Sequence, residues 1–114
     1  MILQILLAGG FLCAQPRTVD GDTLVCLSGP RIRIFGIQAP EARDPGGPQS
    51  TAAMARMVTG QTLACEDKGQ DYFKRTVAIC RLPNGQDIGE LMIRQGQATE
   101  YLRYSGGYYR GVRP

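Results

Sequence analysis

The chain of 114 residues contains no histidine. This absence excludes Ser-His-Asp triads, Cys-His dyads, zinc sites with histidine ligands and every mechanism in which imidazole carries the proton. Any acid or base in this protein must therefore be a carboxyl group, a tyrosine, a lysine or a cysteine.

Lysine is scarce, because only Lys68 and Lys74 occur and eleven arginines carry the rest of the positive charge. The formal net charge is +3. A guanidinium group is always charged and presents a planar fork that matches the oxygens of a phosphate. The preference for arginine therefore favours recognition of phosphate groups.

Four cysteines stand at positions 13, 26, 65 and 80, and no two of them form a C-x-x-C pair. This spacing disfavours a zinc knuckle or a thioredoxin-type motif and favours two disulfides, with four buried thiols in a reducing compartment as the alternative. A bond between Cys65 and Cys80 closes a loop of about 15 residues, which is worth roughly 3 kcal/mol through the entropy of the unfolded chain. If a strand precedes the hairpin, Cys13 can lie across from Cys26, but the sequence leaves the connectivity of the disulfides open.

Residues 1–10 are apolar, and we interpret them as the remnant of a longer leader or as an extra strand. No lysine or arginine precedes the apolar run at 2–7, which is shorter than the roughly 7–15 residues of a signal-peptide core. It is also too short to span a membrane. Together with the cysteines, this segment favours a secreted or periplasmic protein.

The first half of the chain has the composition of β-strands. Two apolar, β-branched runs over residues 24–27 and 31–37 flank a Ser-Gly-Pro turn, which predicts a hairpin. A strand over residues 11–18 would complete a three-stranded meander. In the strand at 31–37, alternation places the two isoleucines on one face and Arg33 on the other.

The second half mixes helices with strands. The predicted elements are a helix over residues 50–59, strands over 62–66 and 76–82 with a polar loop at 67–74 between them, and a helix that starts at a capping box of Asp87 and Glu90 and ends at Gly96. Five short strands and two helices predict one domain, mainly β with two or three helices (α+β), folded as a five-stranded Greek-key barrel of the OB type.

The tail differs from the rest of the chain. Residues 101–114 contain four tyrosines, three arginines and no acid after position 100. Aromatic faces interleaved with arginine are typical of surfaces on which single-stranded nucleic acid stacks, although a flexible tail with no role is the alternative. We place the domain at residues 11–104 and a Gly/Tyr/Arg tail at 105–114.

Two carboxylates and two arginines form the pattern that carries chemistry: Asp22 in an Asp-Gly-Asp-Thr turn, Arg33 in a strand, Glu41 after a proline, and Arg75. Phosphodiester cleavage needs guanidinium groups to stabilise the charge on the phosphoryl oxygens. It also needs a base to deprotonate water, and a carboxylate can serve. The four residues together therefore predict a phosphodiesterase.

These motifs resemble the staphylococcal nuclease (thermonuclease) family. The resemblance covers roughly residues 11–104 and rests on four features in order along the chain: the D-G-D-T turn at 20–23, the strand arginine at 33, Pro-Glu at 40–41, and the later arginine at 75. It implies an OB barrel that cuts DNA and RNA with little sequence preference. It also implies that the protein is a Ca²⁺-assisted enzyme.

Residue roles follow from the resemblance. It implies that Glu41 activates water for in-line attack, that Arg33 and Arg75 are catalytic and hold the phosphate, and that Asp22 ligates Ca²⁺. Tyr104 falls near a position where the family has a nucleotide-contacting tyrosine. Lys74, beside Arg75, and Arg103, beside Tyr104, are the further nucleic-acid-binding candidates.

The chain departs from the family pattern at the metal site and at the end. Gln38 stands where the family has a second metal-binding aspartate, and Ala39 can still offer a backbone carbonyl to the metal. Because Ca²⁺ affinity depends on the charge of the ligands, we expect weak metal binding that improves when a substrate phosphate supplies an oxygen. The chain also ends soon after Tyr104, so the family's last helix is expected to be absent.

Three functions therefore remain open. The first is a monomeric nuclease acting on DNA or RNA, with single strands favoured. The second is a non-catalytic nucleic-acid-binding module on the same barrel that has lost its metal site through Gln38. The third is a disulfide-stabilised protein-interaction domain that uses the tyrosines of the tail as its anchor.

Overall fold

A computed structural model describes residues 9–114, so most of the predicted apolar segment at 1–10 lies outside the described residues. The strands are β1 (Gly10–Ala14), β2 (Arg17–Asp20), β3 (Thr23–Val25), β4 (Arg31–Ile34), β5 (Ile37–Gln38), β6 (Thr62–Gln70), β7 (Thr76–Arg81) and β8 (Thr99–Glu100). The helices are α1 (Gly47–Val58), α2 (Ile88–Arg94) and α3 (Leu102–Ser105). The predicted class, mainly β with two or three helices, is confirmed.

Six strands form the main sheet in the order β1-β6-β7-β4-β3-β2, and β5 pairs with β8 in a separate two-stranded sheet. Neighbours in the main sheet are antiparallel except β4 and β7, which run parallel. The parallel pair sets Arg33 opposite Val77. Strand β7 begins directly after Arg75, so this pairing brings both candidate arginines to one side of the sheet.

The prediction of a single strand over residues 11–18 is wrong, because this segment forms two strands, β1 and β2. Gln15 has a φ of 44° and is followed by Pro16, which has no N–H for a sheet. The chain therefore turns there: β1 pairs with β6, and the meander consists of β2, β3 and β4. The main sheet gains a sixth strand over the predicted five.

Several element boundaries also differ from those predicted; the predicted strand at 31–37, for example, ends at Ile34 and is followed by a turn before β5. Helix α1 starts at Gly47 rather than at residue 50, with Pro48 in its first turn, where a missing N–H costs nothing. Strand β6 extends to Gln70 through most of the predicted polar loop. Its outer residues are exposed, and polar side chains are common on an exposed strand face.

Apolar side chains from every layer form one core. It includes residues from β3, β4, α1, β6, β7 and α2, all buried: Leu24, Ile32, Ile34, Met54, Leu63, Cys80, Met92. Ile32 and Ile34 are fully buried, as the alternation in β4 predicted. This core holds β4 rigidly and sends Arg33 to the opposite face.

The structure has the two disulfides that the sequence favoured, and it supplies their connectivity. Cys13 is bonded to Cys26, and Cys65 is bonded to Cys80 across β6 and β7. All four sulfurs belong to residues of the core. Within residues 9–114, no helix is long and apolar enough to cross a membrane.

Candidate nuclease site

Arg33 projects from the middle of β4, on the face opposite the buried isoleucines. Its Nη1 donates a hydrogen bond to the carbonyl oxygen of Ile34 at 2.9 Å, and its Nη2 lies 3.5 Å from Oδ2 of Asp22. Only 16% of the side chain is exposed. The guanidinium group is therefore held in one orientation before any substrate arrives.

Asp22 lies in the turn between β2 and β3, where both oxygens of its carboxylate accept hydrogen bonds from the protein. Oδ1 accepts a hydrogen bond from the Thr23 hydroxyl at 3.1 Å, and Oδ2 accepts one from the Ala39 N–H at 2.9 Å. Burial raises the pKa of Asp22 above its usual value, while Arg33 and the Ala39 N–H partly offset the effect.

Gly21 allows this turn to pack closely against α1. A Cβ at Gly21 would overlap the Ser50 hydroxyl and would lie 2.7 Å from Cβ of Ala39. Any larger residue would push the turn, and Asp22 with it, away from the segment that leads to Glu41. The glycine of the D-G-D-T motif therefore has a packing role of its own.

Arg75 is held by Asp71 at the end of a tight loop. Its Nε donates to Oδ2 of Asp71 at 2.7 Å, and its backbone N–H donates to Oδ1 at 2.9 Å. Burial acts to raise the pKa of Asp71, but the hydrogen bonds and the charge of Arg75 outweigh it and lower the pKa below its usual value. The loop contains Lys74 with a φ of 64°, in a position where glycine is more common.

Thr23 joins the two arginines through hydrogen bonds. The Thr23 hydroxyl donates to Oδ1 of Asp22 and accepts from Nη1 of Arg75 at 3.5 Å, while Oδ2 of the same carboxylate faces Arg33. Thr23 is 3% exposed. Both guanidinium groups are thus connected to one buried carboxylate, and their remaining N–H donors are available to a phosphate.

Both arginines line one cleft of about 560 Å³, which we call the arginine cleft. Its aromatic and apolar walls are formed by Phe35, Tyr72, Phe73, Val77, Tyr101 and Tyr104. The Phe73 ring lies 5.4 Å from the Arg75 guanidinium carbon. An anion with an attached aromatic ring is the kind of ligand that such a cleft suits.

The other predicted nucleic-acid contacts are placed differently. Tyr104 lines the arginine cleft, is 61% exposed, and packs edge-on against Tyr101. Lys74 and Arg103 are exposed and do not line the cleft. Arg103 lies over the ring of Tyr104 at 5.7 Å, at the rim.

Glu41 and its neighbours do not line the arginine cleft. Gln38, Ala39 and Pro40 line a separate cavity of about 370 Å³, and Glu41 follows them with an exposed side chain. A Cβ at Gly47 would overlap the Glu41 carbonyl oxygen, so the start of α1 is in close contact with the backbone of this acid.

The residues present do not make a calcium site by themselves. Ca²⁺ takes about six to eight oxygen ligands, commonly with several carboxylates. Here Asp22 is the one carboxylate of the predicted ligand set, its oxygens already accept hydrogen bonds, and Gln38 is uncharged and exposed. Over the described part of the chain, no group of three or more acidic or cysteine side chains is arranged to hold a metal ion.

Sequence reasoning missed two residues of this site, Thr23 and Asp71. Thr23 was noted only as part of a turn motif, and no local pattern reveals that it lies next to a residue 52 positions away. Asp71 could have been found from a weak sequence signal. It stands four residues before Arg75, and an acid at that distance can form an ion pair with the arginine that closes the loop between them.

The chain is similar to several known nucleases. Residues 31–111 match the family model described as "Staphylococcal nuclease homologue". The chain is 32% identical over 92 residues to an uncharacterized endonuclease of Escherichia coli O157:H7, with 78% of the chain and 60% of the relative covered.

Two further relatives have the same character. A micrococcal nuclease of Shigella flexneri is 28% identical over 99 residues, with 77% of the chain and 57% of the relative covered. A staphylococcal-like nuclease of Arabidopsis thaliana is 32% identical over 74 residues, with 65% of the chain and 23% of the relative covered. The chain thus spans 60% or less of the length of these curated relatives.

Proposed function

Because the chain belongs to the staphylococcal nuclease homologue family, we propose that it is a nuclease that hydrolyses phosphodiester bonds in DNA or RNA with little sequence preference. The observation that carries the proposal is the pair of arginines in one cleft, connected by Thr23 to one buried carboxylate. Two preorganised guanidinium groups are suited to the charge that develops on a phosphoryl group in the transition state.

Each proposed catalytic residue has a separate role. Arg33 and Arg75 bind the non-bridging oxygens of the phosphate and stabilise their charge as the leaving oxygen departs. Glu41 accepts a proton from the attacking water, as a carboxylate is able to do in a protein without histidine. In support, the Glu41 side chain is exposed, so water can reach its carboxylate, and its backbone is packed against α1.

The substrate and location belong to the same proposal. Single strands are favoured because the rings of the arginine cleft offer faces to unpaired bases, with Tyr104 in its wall and Lys74 and Arg103 near its rim as further contacts. The two disulfides support export to a secreted or periplasmic location. All proposed groups belong to one chain, and we propose that it acts as a monomer.

We propose only weak binding of Ca²⁺, because Gln38 adds no charge to the single carboxylate of Asp22. Gln38→Asp is expected to raise Ca²⁺ affinity about tenfold or more, and to raise activity if the ion takes part in cleavage. Calorimetric titration of Ca²⁺ measures the affinity. Gln95→Asp, which adds the same charge at the end of α2, is the control, and equal affinity in the two variants would contradict the prediction.

The experiment that tests the function is cleavage of single-stranded DNA and RNA by the purified protein, with Ca²⁺, with other divalent ions and with a chelator. Glu41→Gln keeps the size of the side chain and removes the base, so it is expected to abolish cleavage while leaving folding unchanged. Cleavage that persists in Glu41→Gln would remove Glu41 from the mechanism.

A non-catalytic nucleic-acid-binding module is the second candidate. The engaged oxygens of Asp22 and the uncharged Gln38 favour it, since both weaken the metal site. It predicts tight binding that falls steeply with salt, and no cleavage under any divalent ion.

A further inference from the structure

Four side chains outside the proposed catalytic set form a continuous row in which two aromatic rings lie between two cations. Nζ of Lys68 lies 5.4 Å from the centroid of the Phe35 ring, and the Phe35 and Tyr108 rings meet edge to face at 5.8 Å. Arg81 completes the row, because its Nη2 donates to the Tyr108 hydroxyl at 3.5 Å. We call Lys68, Phe35, Tyr108 and Arg81 the cation–aromatic row.

The row leads out of the arginine cleft. Lys68 and Phe35 line that cleft, whereas Tyr108 and Arg81 line a neighbouring polar cavity of about 370 Å³. The contact between Phe35 and Tyr108 is therefore the boundary between the two. A chain molecule bound in the cleft can continue over this boundary into the cavity.

The charges in the second cavity leave Arg81 available to an anion. Glu90 is paired with Arg94 at 3.0 Å, and the oxygens of Asp87 accept hydrogen bonds from the Tyr109 hydroxyl at 2.8 and 2.9 Å. Among residues 9–114, Arg81 has no carboxylate partner within 4 Å, although its charge is felt by Asp87 at longer range.

Tyr108 is exposed enough to stack on a base. The residue is 52% exposed, and its ring stands at 84° to that of Phe35. Because the two rings are nearly perpendicular, one stack of bases cannot cover both. A strand that followed the row out of the cleft would have to turn at this point to place a base on the exposed part of the Tyr108 ring, and its backbone would then come near Arg81.

We propose that the cation–aromatic row binds the part of a single-stranded nucleic acid that extends beyond the arginine cleft, with Tyr108 stacking on one base and Arg81 binding a neighbouring phosphate. The inference rests on the proposed function for its ligand, and adds a second subsite to it. Interleaved cations and aromatic faces favour a single strand over an apolar protein partner, since stacking and phosphate contacts use both groups.

The test is equilibrium binding of fluorescein-labelled single-stranded DNA to variants made in a Glu41→Gln background, which prevents cleavage. Two lengths are compared, about 16 and about 4 nucleotides, since OB folds bind roughly that range. Tyr108→Ala is expected to weaken binding of the longer strand about tenfold, because base stacking on an aromatic ring is worth about 1–3 kcal/mol. Binding of the shorter strand, which the arginine cleft holds alone, is expected to be unchanged.

Arg81→Gln is expected to weaken binding of the longer strand. It is also expected to make the fall of log K, the binding constant, with log salt concentration less steep by about 0.7, the value for one phosphate contact on a single strand. Three matched variants serve as controls. Arg56→Gln removes one exposed charge from α1 and is expected to bind like the parent protein. Tyr108→Phe keeps the ring and Arg81→Lys keeps the charge, so each is expected to restore most of the binding that Tyr108→Ala or Arg81→Gln loses. Thermal unfolding of each variant reports folding.

The outcomes separate this inference from the proposed function. Loss confined to the longer strand supports the row, even if the wild-type protein cuts nothing. Equal binding by Tyr108→Ala, Arg81→Gln and the parent protein overturns the proposed role of the row, even if cleavage is robust. A loss of binding in Arg56→Gln as large as the loss in Arg81→Gln overturns it as well. A wild-type protein that neither binds nor cuts nucleic acid overturns both.

Discussion

Arg33 and Arg75 depend on different carboxylates for their positions. Arg33 faces the buried Asp22, which is also bonded to Thr23 and to the Ala39 N–H, whereas Arg75 is held by Asp71 at the surface. Replacement of Asp22 would disturb several elements at once. Asp71 is the better residue for testing whether an arginine must be held in place.

Asp71→Asn is expected to lower kcat/KM about tenfold or more, because a small displacement of a phosphate-binding group is costly in the transition state. The amide keeps the shape of the loop but loses the charge that pairs with Nε of Arg75. Steady-state kinetics on a short oligonucleotide measure the effect. Asp44→Asn, in the exposed loop before α1, is the control and should behave as wild type; equal activity of the two variants would remove Asp71 from the site.

The ion pair of Asp71 and Arg75 also determines in which direction the stability of the protein changes with pH. The pKa of Asp71 is lowered from its usual value of 3.8, so its contribution is complete above that pH and is lost as the pH falls through the lowered value. The difference in stability between wild type and Asp71→Asn should therefore be largest near neutral pH and should shrink in acid.

At the scale of elements, the tail packs against the domain through Tyr109, which is buried, and Val112, which is partly buried against the core. Tyr109 is 2% exposed and its hydroxyl bonds to both oxygens of Asp87, which also accepts the N–H groups of Gly89 and Glu90 at the start of α2. A flexible tail does not describe Tyr109, whose side chain is buried, but the role of the tail stays a prediction. The contact also fixes the neighbouring Tyr108 at the boundary of the arginine cleft.

Tyr109→Phe is expected to lower the free energy of unfolding by about 1–3 kcal/mol, because the half-buried carboxylate of Asp87 loses a hydrogen-bond donor. Burial raises the pKa of Asp87, so the folded protein favours the protonated carboxyl group. The contribution of this group to stability is therefore lost as the pH rises through its pKa in the folded protein. Loss of the hydroxyl raises this pKa further. The destabilisation should therefore be larger at neutral pH than at about pH 4, near the usual value for an aspartate.

Urea unfolding at the two pH values measures this difference. Tyr104→Phe removes a hydroxyl from a side chain that is 61% exposed, and should leave stability unchanged. A pH-independent loss in Tyr109→Phe would mean that the hydroxyl contributes by packing rather than through Asp87.

For the whole molecule, the disulfides connect parts of the sheet that are distant in the chain. Cys65 and Cys80 face each other on β6 and β7, and Cys13 to Cys26 ties β1 to the end of the β2–β3 hairpin. Both pairs lie in the core. Their effect should appear in overall stability rather than in the shape of the arginine cleft.

Cys65→Ala with Cys80→Ala is expected to lower the free energy of unfolding by about 3 kcal/mol, since the loop it opens has a sequence separation of 15. Cys13→Ala with Cys26→Ala, at a separation of 13, should cost a similar amount. Urea unfolding without reductant measures both, and thiol titration of the unfolded wild type should find no free cysteine. Wild-type stability in both double variants, or four titratable thiols, would contradict the disulfides.

Much of the fold was predictable because it is local. The alternation in β4, the Asp87 cap of α2 and the turn residues between strands each act over a few residues, and the structure has all three. The family match confirms the resemblance and the OB-type fold of the staphylococcal nuclease kind. The split at Gln15 and the sixth strand were not predictable, because the pairing of β1 with β6 depends on residues about 50 positions away.

The sequence by itself determined which chemistry is available. It has no imidazole, it has two arginines and two carboxylates in the order found in the staphylococcal nuclease family, and it has the amide of Gln38 where that family has an aspartate. Only the tertiary structure decided how these groups meet. The parallel pairing of β4 with β7, the hydrogen bonds of Thr23 and the packing of Tyr109 all join residues that are distant in the chain. Such contacts depend on the whole core, and local sequence patterns do not contain them.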